Sequence, residues 1–229
     1  MNIAVNVDHA VPFTPHLRSE PTAYSRDSSR IRRLDAGDAL FYEGDEAGYV
    51  YEVLEGAIRT SKILSDGRRL VVSFNFPGDL VGFSHDDMHH ATCEALAQTK
   101  VRAIRRSALS SIIKDRPEFA ETLLRFTAES LNIMQDHFVV LGRKSASEKL
   151  ASFLLSLAER EDCDEGGPVI FRLPMSRSDI ADYLGLTIET VSRNLTALKS
   201  RGVIDLPQTN LVRVRDIDRL RDRTLQEQD

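Results

Sequence analysis

Ser176-Arg177-Ser178-Asp179-Ile180-Ala181-Asp182-Tyr183-Leu184-Gly185-Leu186-Thr187-Ile188-Glu189-Thr190-Val191-Ser192-Arg193-Asn194-Leu195-Thr196 reads as two short helices joined by a sharp turn. Ser176 or Ser178 can cap the first helix by accepting a backbone N–H that its opening turn leaves unpaired, and Ile180, Ala181 and Leu184 form the inner face. Gly185 supplies the left-handed backbone that the turn demands, and small Ala181 lets the two helices approach closely. Thr187 then caps a second helix, whose Val191, Leu195 and Leu198 recur at inward-facing positions. Its opposite face is polar, with Glu189, Ser192 and Arg193 at i, i+3 and i+4, so that the three side chains project together.

That grouping suits the major groove of duplex DNA. A guanidinium can take the O6 and N7 acceptors of guanine while a carboxylate accepts from the cytosine amino group, so Glu189 and Arg193 can read one G·C pair and Ser192 a neighbouring edge. Ser176, Arg177, Ser178, Thr187, Thr190, Lys199 and Arg201 are the candidates for holding the flanking phosphate backbone. On an isolated helix the same Glu189 and Arg193 would read as an ordinary i,i+4 ion pair. The context shifts the weight. Val203 to Leu206 and Leu211 to Val214 flank a polar turn, Pro207 to Asn210, which predicts a hairpin wing, and Asp216 to Thr224 suggest a short closing helix.

Upstream, Phe119, Leu123, Phe126, Ser130, Ile133, His137 and Val140 recur at three- and four-residue intervals. Ala120, Leu124, Leu131, Met134, Phe138 and Leu141 form a second stripe beside them. One long helix explains both, opened by Pro117 and bent or ended at Gly142. Two stripes carry more apolar surface than one small barrel covers, so the second is expected to meet its own copy across a two-fold axis, as a homodimer. Burial of both stripes within one chain is the alternative.

From Arg32 to about Ile104 short apolar runs are cut by Ala36-Gly37-Asp38, Glu43-Gly44-Asp45, Glu55-Gly56, Asp66-Gly67 and Pro77-Gly78-Asp79. This rhythm predicts an antiparallel barrel or sandwich of short strands. Leu70, Val72, Phe74 and Phe76 alternate with Val71, Ser73 and Asn75, which puts the bulky set on the core face of one strand. Cys93 reads as a strand core residue. The expected organisation is α+β: a loosely held arm over 1–29, a β-roll over 30–115, a dimerisation helix over 116–143 and a winged helix-turn-helix over 144–229.

A hydrophobic share of 41% suits a chain that buries a core, and no run approaches the ~20 apolar residues of a membrane helix. The N-terminus lacks the basic-then-apolar layout of a secretory signal, so a cytoplasmic location is expected. The two cysteines are too few and too far apart for a zinc module or an iron–sulfur cluster. Cys163 sits among carboxylates that disfavour a thiolate, which argues against a redox switch there. The net charge of −5 argues against indiscriminate nucleic-acid binding, yet it allows a specific reader with its basic groups on one face. No nucleophile elbow, Gly-rich phosphate loop or His-Glu-x-x-His spacing is present, so neither catalysis nor a cofactor or metal is expected. A partner protein on the second helix is disfavoured because that helix lacks the aromatic anchors partner surfaces favour.

A Gly-punctuated β-domain, a long helix and a winged helix-turn-helix in this order resemble the CRP/FNR superfamily over about Arg32 to Thr224. The most specific stretch, Leu184 to Arg193, is similar to the recognition helix of the FNR and FixK branch. The resemblance implies that Glu189, Ser192 and Arg193 read TTGAT half-sites arranged as a palindrome, that surface loops contact RNA polymerase, and that microaerobic or nitrogen-fixation genes are the targets. The cyclic-AMP branch has arginine and glycine where this chain has Ile188 and Ser192. That branch holds the nucleotide with a Gly-Glu-Leu turn and a later Arg-Ser pair; here Gly82-Phe83-Ser84 and His89-His90 stand there, so no cyclic nucleotide is expected. An N-terminal cysteine cluster like that of oxygen-sensing relatives is also missing. His85, His89 and His90 could ligate a metal or haem, although adjacent histidines in a polar loop are more often solvated.

Overall fold

A computed structural model describes residues 29–161 and 168–225, so the N-terminal arm and Cys163 lie outside the described residues. The chain divides into two compact units, with the division between Leu131 and Asn132.

The first unit opens with eight strands: β1 (Ser29–Leu34), β2 (Ala39–Phe41), β3 (Tyr49–Glu55), β4 (Ile58–Ile63), β5 (Arg69–Asn75), β6 (Leu80–Val81), β7 (Thr92–Ala95) and β8 (Thr99–Arg105). They form two four-stranded sheets, in the orders β1-β8-β3-β6 and β2-β7-β4-β5, antiparallel at every described pairing. Leu40, Phe41, Tyr51, Val53, Ile58, Cys93 and Val101 are part of the core of this unit. Burial pushes the Cys93 thiol up to about 12, so it is an inert apolar filler. All five glycines of the turn signals have positive φ. The tightest is Gly56, where a Cβ would lie 2.5 Å from the Gln98 carbonyl oxygen and closer still to Thr99 Oγ1.

The strand-face expectation for β5 needs correction. Val71 is buried at 1% exposure and Phe74 is fully buried, whereas Leu70 and Val72 are exposed at 37% and 43%. Ser61 pairs with Val71 and Thr60 with Ser73, so Val72 is an extra residue in the ladder. This bulge flips the face of the strand halfway along, which a strict period of two cannot anticipate.

Two helices follow, α1 (Arg106–Asp115) and α2 (Pro117–Arg143), the latter 27 residues long. The first predicted stripe of α2 faces its own chain: Phe119 packs with Ile104, and Phe126 with Val50 and Leu80. Along the second stripe Leu124, Leu131, Met134 and Phe138 are exposed at 72%, 55%, 50% and 64%.

The second unit contains α3 (Ala146–Ala158), β9 (Val169–Arg172), α4 (Arg177–Leu184), α5 (Ile188–Ser200), β10 (Ile204–Gln208), β11 (Leu211–Val214) and α6 (Ile217–Asp222). Helix α3 starts in a capping box, Ser145 with Glu148, and buries every residue from Leu150 to Ala158. The wing hairpin β10–β11 gains a third strand, β9, on the far side of β11. No helix among the described residues is long and apolar enough to cross a membrane.

Candidate nucleic-acid interface

Helix α4 begins where its cap forms. The Ser176 hydroxyl accepts the Asp179 N–H at 3.1 Å while the Asp179 carboxylate accepts the Ser176 backbone N–H at 2.9 Å, so two otherwise unpaired donors are satisfied. The helix ends at Gly185, with φ 62° and ψ 43°. In that left-handed conformation the chain reverses within Gly185 to Thr187, and the Thr187 hydroxyl accepts the Thr190 N–H to start α5. Ile180, Leu184, Val191, Leu195 and Leu198 are buried to 2% exposure or less, which locks the angle between the helices.

Tyr183 anchors the back of α4. It lies 4.2 Å from the His137 ring in a near-parallel stack and 5.9 Å from Phe153. Burial pushes the His137 pKa down to about 4, against a hydrogen bond that the imidazole donates to the Tyr183 backbone carbonyl and with a smaller lowering by Lys149, so the ring is neutral near pH 7.

With its inner face fixed, α5 turns Glu189, Ser192 and Arg193 to solvent. The i,i+4 ion pair of an ordinary surface helix is not formed: Arg193 has no hydrogen-bond or ion-pair partner among the described residues. Hydrogen bonds from its own backbone N–H and from the Thr187 hydroxyl hold the Glu189 carboxyl below the usual range, so it is ionised near pH 7. The outer face of α5 thus presents one anion and one unpaired cation about a helical turn apart.

The residues expected on the flanks divide. Ser176, Thr187, Lys199 and Arg201 are exposed, and Ser178 and Thr190 are half-buried. The Lys199 and Arg201 side chains form no hydrogen bond or ion pair among the described residues; the hydrogen bond from Arg215 and, to a smaller extent, the Lys199 charge hold the Asp205 carboxyl below its usual range. Arg177 is half-buried, and its Nη2 donates to the Thr209 carbonyl at 3.0 Å, which ties α4 to the wing turn. The wing is closed at its base by Arg215, which forms two hydrogen bonds to the Asp205 carboxylate at 2.7 and 2.8 Å.

Two contributors were missed from sequence: α3, whose buried side supports α5, and β9, whose Phe171 and Val169 back the wing. Each left a signal, the Ser145-x-x-Glu148 capping box before an apolar run and the alternation Val169-Ile170-Phe171-Arg172.

The chain matches the model of the Crp-like helix-turn-helix domain over residues 148–223 and that of the cyclic nucleotide-binding domain over residues 31–116. It is 38% identical over 197 residues to the nitrogen fixation regulation protein FixK of Bradyrhizobium diazoefficiens, covering 82% of this chain and 83% of that protein. Similarity to FixK of Rhizobium meliloti is 40% over 185 residues, covering 81% and 82% respectively. The structure of FixK2 from Bradyrhizobium japonicum superposes with a TM-score of 0.79 at 37% identity, over 86% of this chain and 98% of that one.

Proposed function

The chain belongs to the CRP/FNR family of transcription regulators, a family of regulators and not of enzymes, and from that premise we propose how it reads DNA. It is a DNA-binding transcriptional activator of the FixK type. In our reading Glu189, Ser192 and Arg193 contact base edges of a TTGAT-N4-ATCAA palindrome, one α5 helix per half-site. Ser176, Ser178, Thr187, Thr190, Lys199 and Arg201 hold the flanking phosphates, and Arg177 joins them only on releasing Thr209. The observation that carries this reading is the exposed Arg193, unpaired beside an ionised Glu189 on a helix whose other face is locked in the core.

Two α5 helices require two chains, and the second stripe of α2 supports a homodimer. Leu124, Leu131 and Phe138 repeat every seven residues, as do Ala120, Thr127, Met134 and Leu141, which is the a/d pattern of a coiled-coil seam. Light scattering of the full chain is expected to give the mass of two chains, and a monomer at micromolar concentration contradicts the pairing. The dimer then recruits RNA polymerase through the β-domain at microaerobic or nitrogen-fixation promoters, in the cytoplasm. Neither a cofactor nor a cyclic nucleotide is needed. What supports this is Phe83, not a carboxylate, after Gly82, and a buried His89 where a phosphate-binding arginine would stand.

A gel shift tests the central claim. The palindromic duplex is expected to bind on the order of 10³-fold or more tightly than a scrambled duplex at the same salt. Equal affinity for the two sinks the reading.

A further inference from the structure

The loop between β6 and β7 gathers two imidazoles and a carboxylate on the exposed surface of the β-domain. Asp86 is fixed first. Its Oδ1 accepts the Met88 backbone N–H at 3.2 Å and lies 2.8 Å from the Ser84 hydroxyl, and the Arg106 guanidinium donates to the Asp86 carbonyl. His90 Nε2 then lies 2.9 Å from both carboxylate oxygens, and His85 Nε2 lies 3.6 Å from Oδ2. The two imidazole rings are stacked at 5.3 Å with their planes 12° apart. One ligand atom from each of the three residues falls within 4.8 Å of the others. The intervening His89 anchors the loop: it is buried at 3% exposure, stacks on Phe41 at 3.6 Å, and its backbone bonds to Gly44 and Asp45 at 2.8 Å each.

We infer that His85, Asp86 and His90 form a surface site for a divalent transition-metal cation of the zinc, nickel or cobalt class. Two imidazoles and one carboxylate are the donors that borderline cations select, whereas magnesium and calcium take oxygen ligands. Metal–ligand bonds of about 2.0–2.1 Å set neighbouring ligand atoms about 3 Å apart, and the separations within the cluster bracket that spacing. The hydrogen bonds that Ser84 and Met88 make to Asp86 are those that orient a ligating carboxylate. Three protein ligands leave further positions to water or to the neighbouring, fully exposed Asp87 side chain. The sequence alone had these histidines solvated and included His89; burial removes His89, and the backbone brings Asp86 in its place.

The test uses the untagged full chain, dialysed against chelator and then titrated with Zn²⁺ by calorimetry and with Co²⁺ by visible absorption. One equivalent per chain is expected, with Co²⁺ ligand-field bands. The double variant His85→Ala/His90→Ala is expected to bind at least tenfold more weakly and to lose those bands, with an unchanged thermal midpoint because both rings are exposed. The single variant His90→Gln is expected to bind with intermediate affinity. The variant His9→Ala/His16→Ala, which removes the imidazoles near the N-terminus, is expected to bind like the parent. The inference is overturned if the parent shows no saturable binding, or if the loop double variant binds Zn²⁺ as tightly as the parent; Asp86 and His90 then form only an ion pair.

Discussion

The sheets of the β-domain and the outer face of α5 carry similar charged side chains in opposite circumstances. In the β-domain, cations on one strand meet anions on the next: Arg102 with Glu52 at 2.6 Å, Lys100 with Glu55 at 2.7 Å and Arg59 with Glu94 at 2.7 Å. On α5 and just beyond it, Arg193, Lys199 and Arg201 form no hydrogen bond or ion pair through their side chains among the described residues, although the Lys199 charge acts on Asp205. A charge satisfied within its own chain contributes to the fold and has little left to offer a ligand. A charge left in water on a rigid element costs little while free and can exchange its hydration for a ligand. In the proposed reading the contrast separates the charges that hold this molecule together from those it offers to DNA.

Substituting one cation of each kind should split the two properties. The Arg102 and Glu52 side chains are only 19% and 8% exposed, so Arg102→Ala leaves a nearly buried carboxylate short of its cross-strand cation. A stability loss of about 3 kcal/mol is expected in chemical denaturation, with DNA selectivity unchanged at temperatures where the variant is folded. Arg193→Ala should do the reverse. It is expected to cost about 1–3 kcal/mol in binding the palindrome and to relax selectivity at one base pair, with the thermal midpoint unmoved. Equal loss on specific and random DNA would make Arg193 a phosphate contact, and a lowered midpoint would make it structural.

A smaller effect is expected where the two roles meet. Ser176 caps α4 and is also a candidate phosphate contact, so Ser176→Ala is expected to destabilise the winged helix by about 1 kcal/mol through the lost cap. Ser176→Asn restores an acceptor for the Asp179 N–H without setting a second carboxylate against Asp179, whose Oδ2 accepts the Ser176 hydroxyl at 2.7 Å, but replaces that hydroxyl with a bulkier amide towards phosphate. If Ser176 touches DNA, this variant regains stability relative to Ser176→Ala while binding more weakly, and parallel recovery of both denies the contact.

The winged helix was readable in advance because its determinants are local. Ser176, Gly185 and Thr187 act within four residues of their own positions, and the buried faces of α4 and α5 follow the helical repeat. The β-domain was readable in its turns, where positive φ selects glycine, and misread inside β5. There Val72 bulges because of how β5 lies against β4, and that is a property of the pair. The double stripe of α2 was visible as a pattern, and the inner stripe's partners, Ile104, Val50 and Leu80, became visible only with the fold. The cluster of His85, Asp86 and His90 was half visible. The histidines stand out in sequence, but which of the three is buried depends on Phe41, far away along the chain.

The least of the expected effects asks whether burial or distance gives a paired charge its weight. Lys100 Nζ lies 2.7 Å from Glu55 Oε1, essentially the separation of Arg102 from Glu52, and on the neighbouring stretch of the same two strands. The difference is solvent: the Lys100 and Glu55 side chains are 37% and 61% exposed. In a high effective dielectric the attraction shrinks, and holding two long side chains in one geometry offsets much of what is left. Lys100→Ala is therefore expected to cost only about 0.2–1 kcal/mol in denaturation, to fade further as salt is raised, and to leave DNA binding untouched. Should its cost approach that of Arg102→Ala and persist in high salt, contact distance would outweigh burial. Pairing alone would then mark the structural charges of the β-domain, and the exposed pairs would have to be counted with the buried ones.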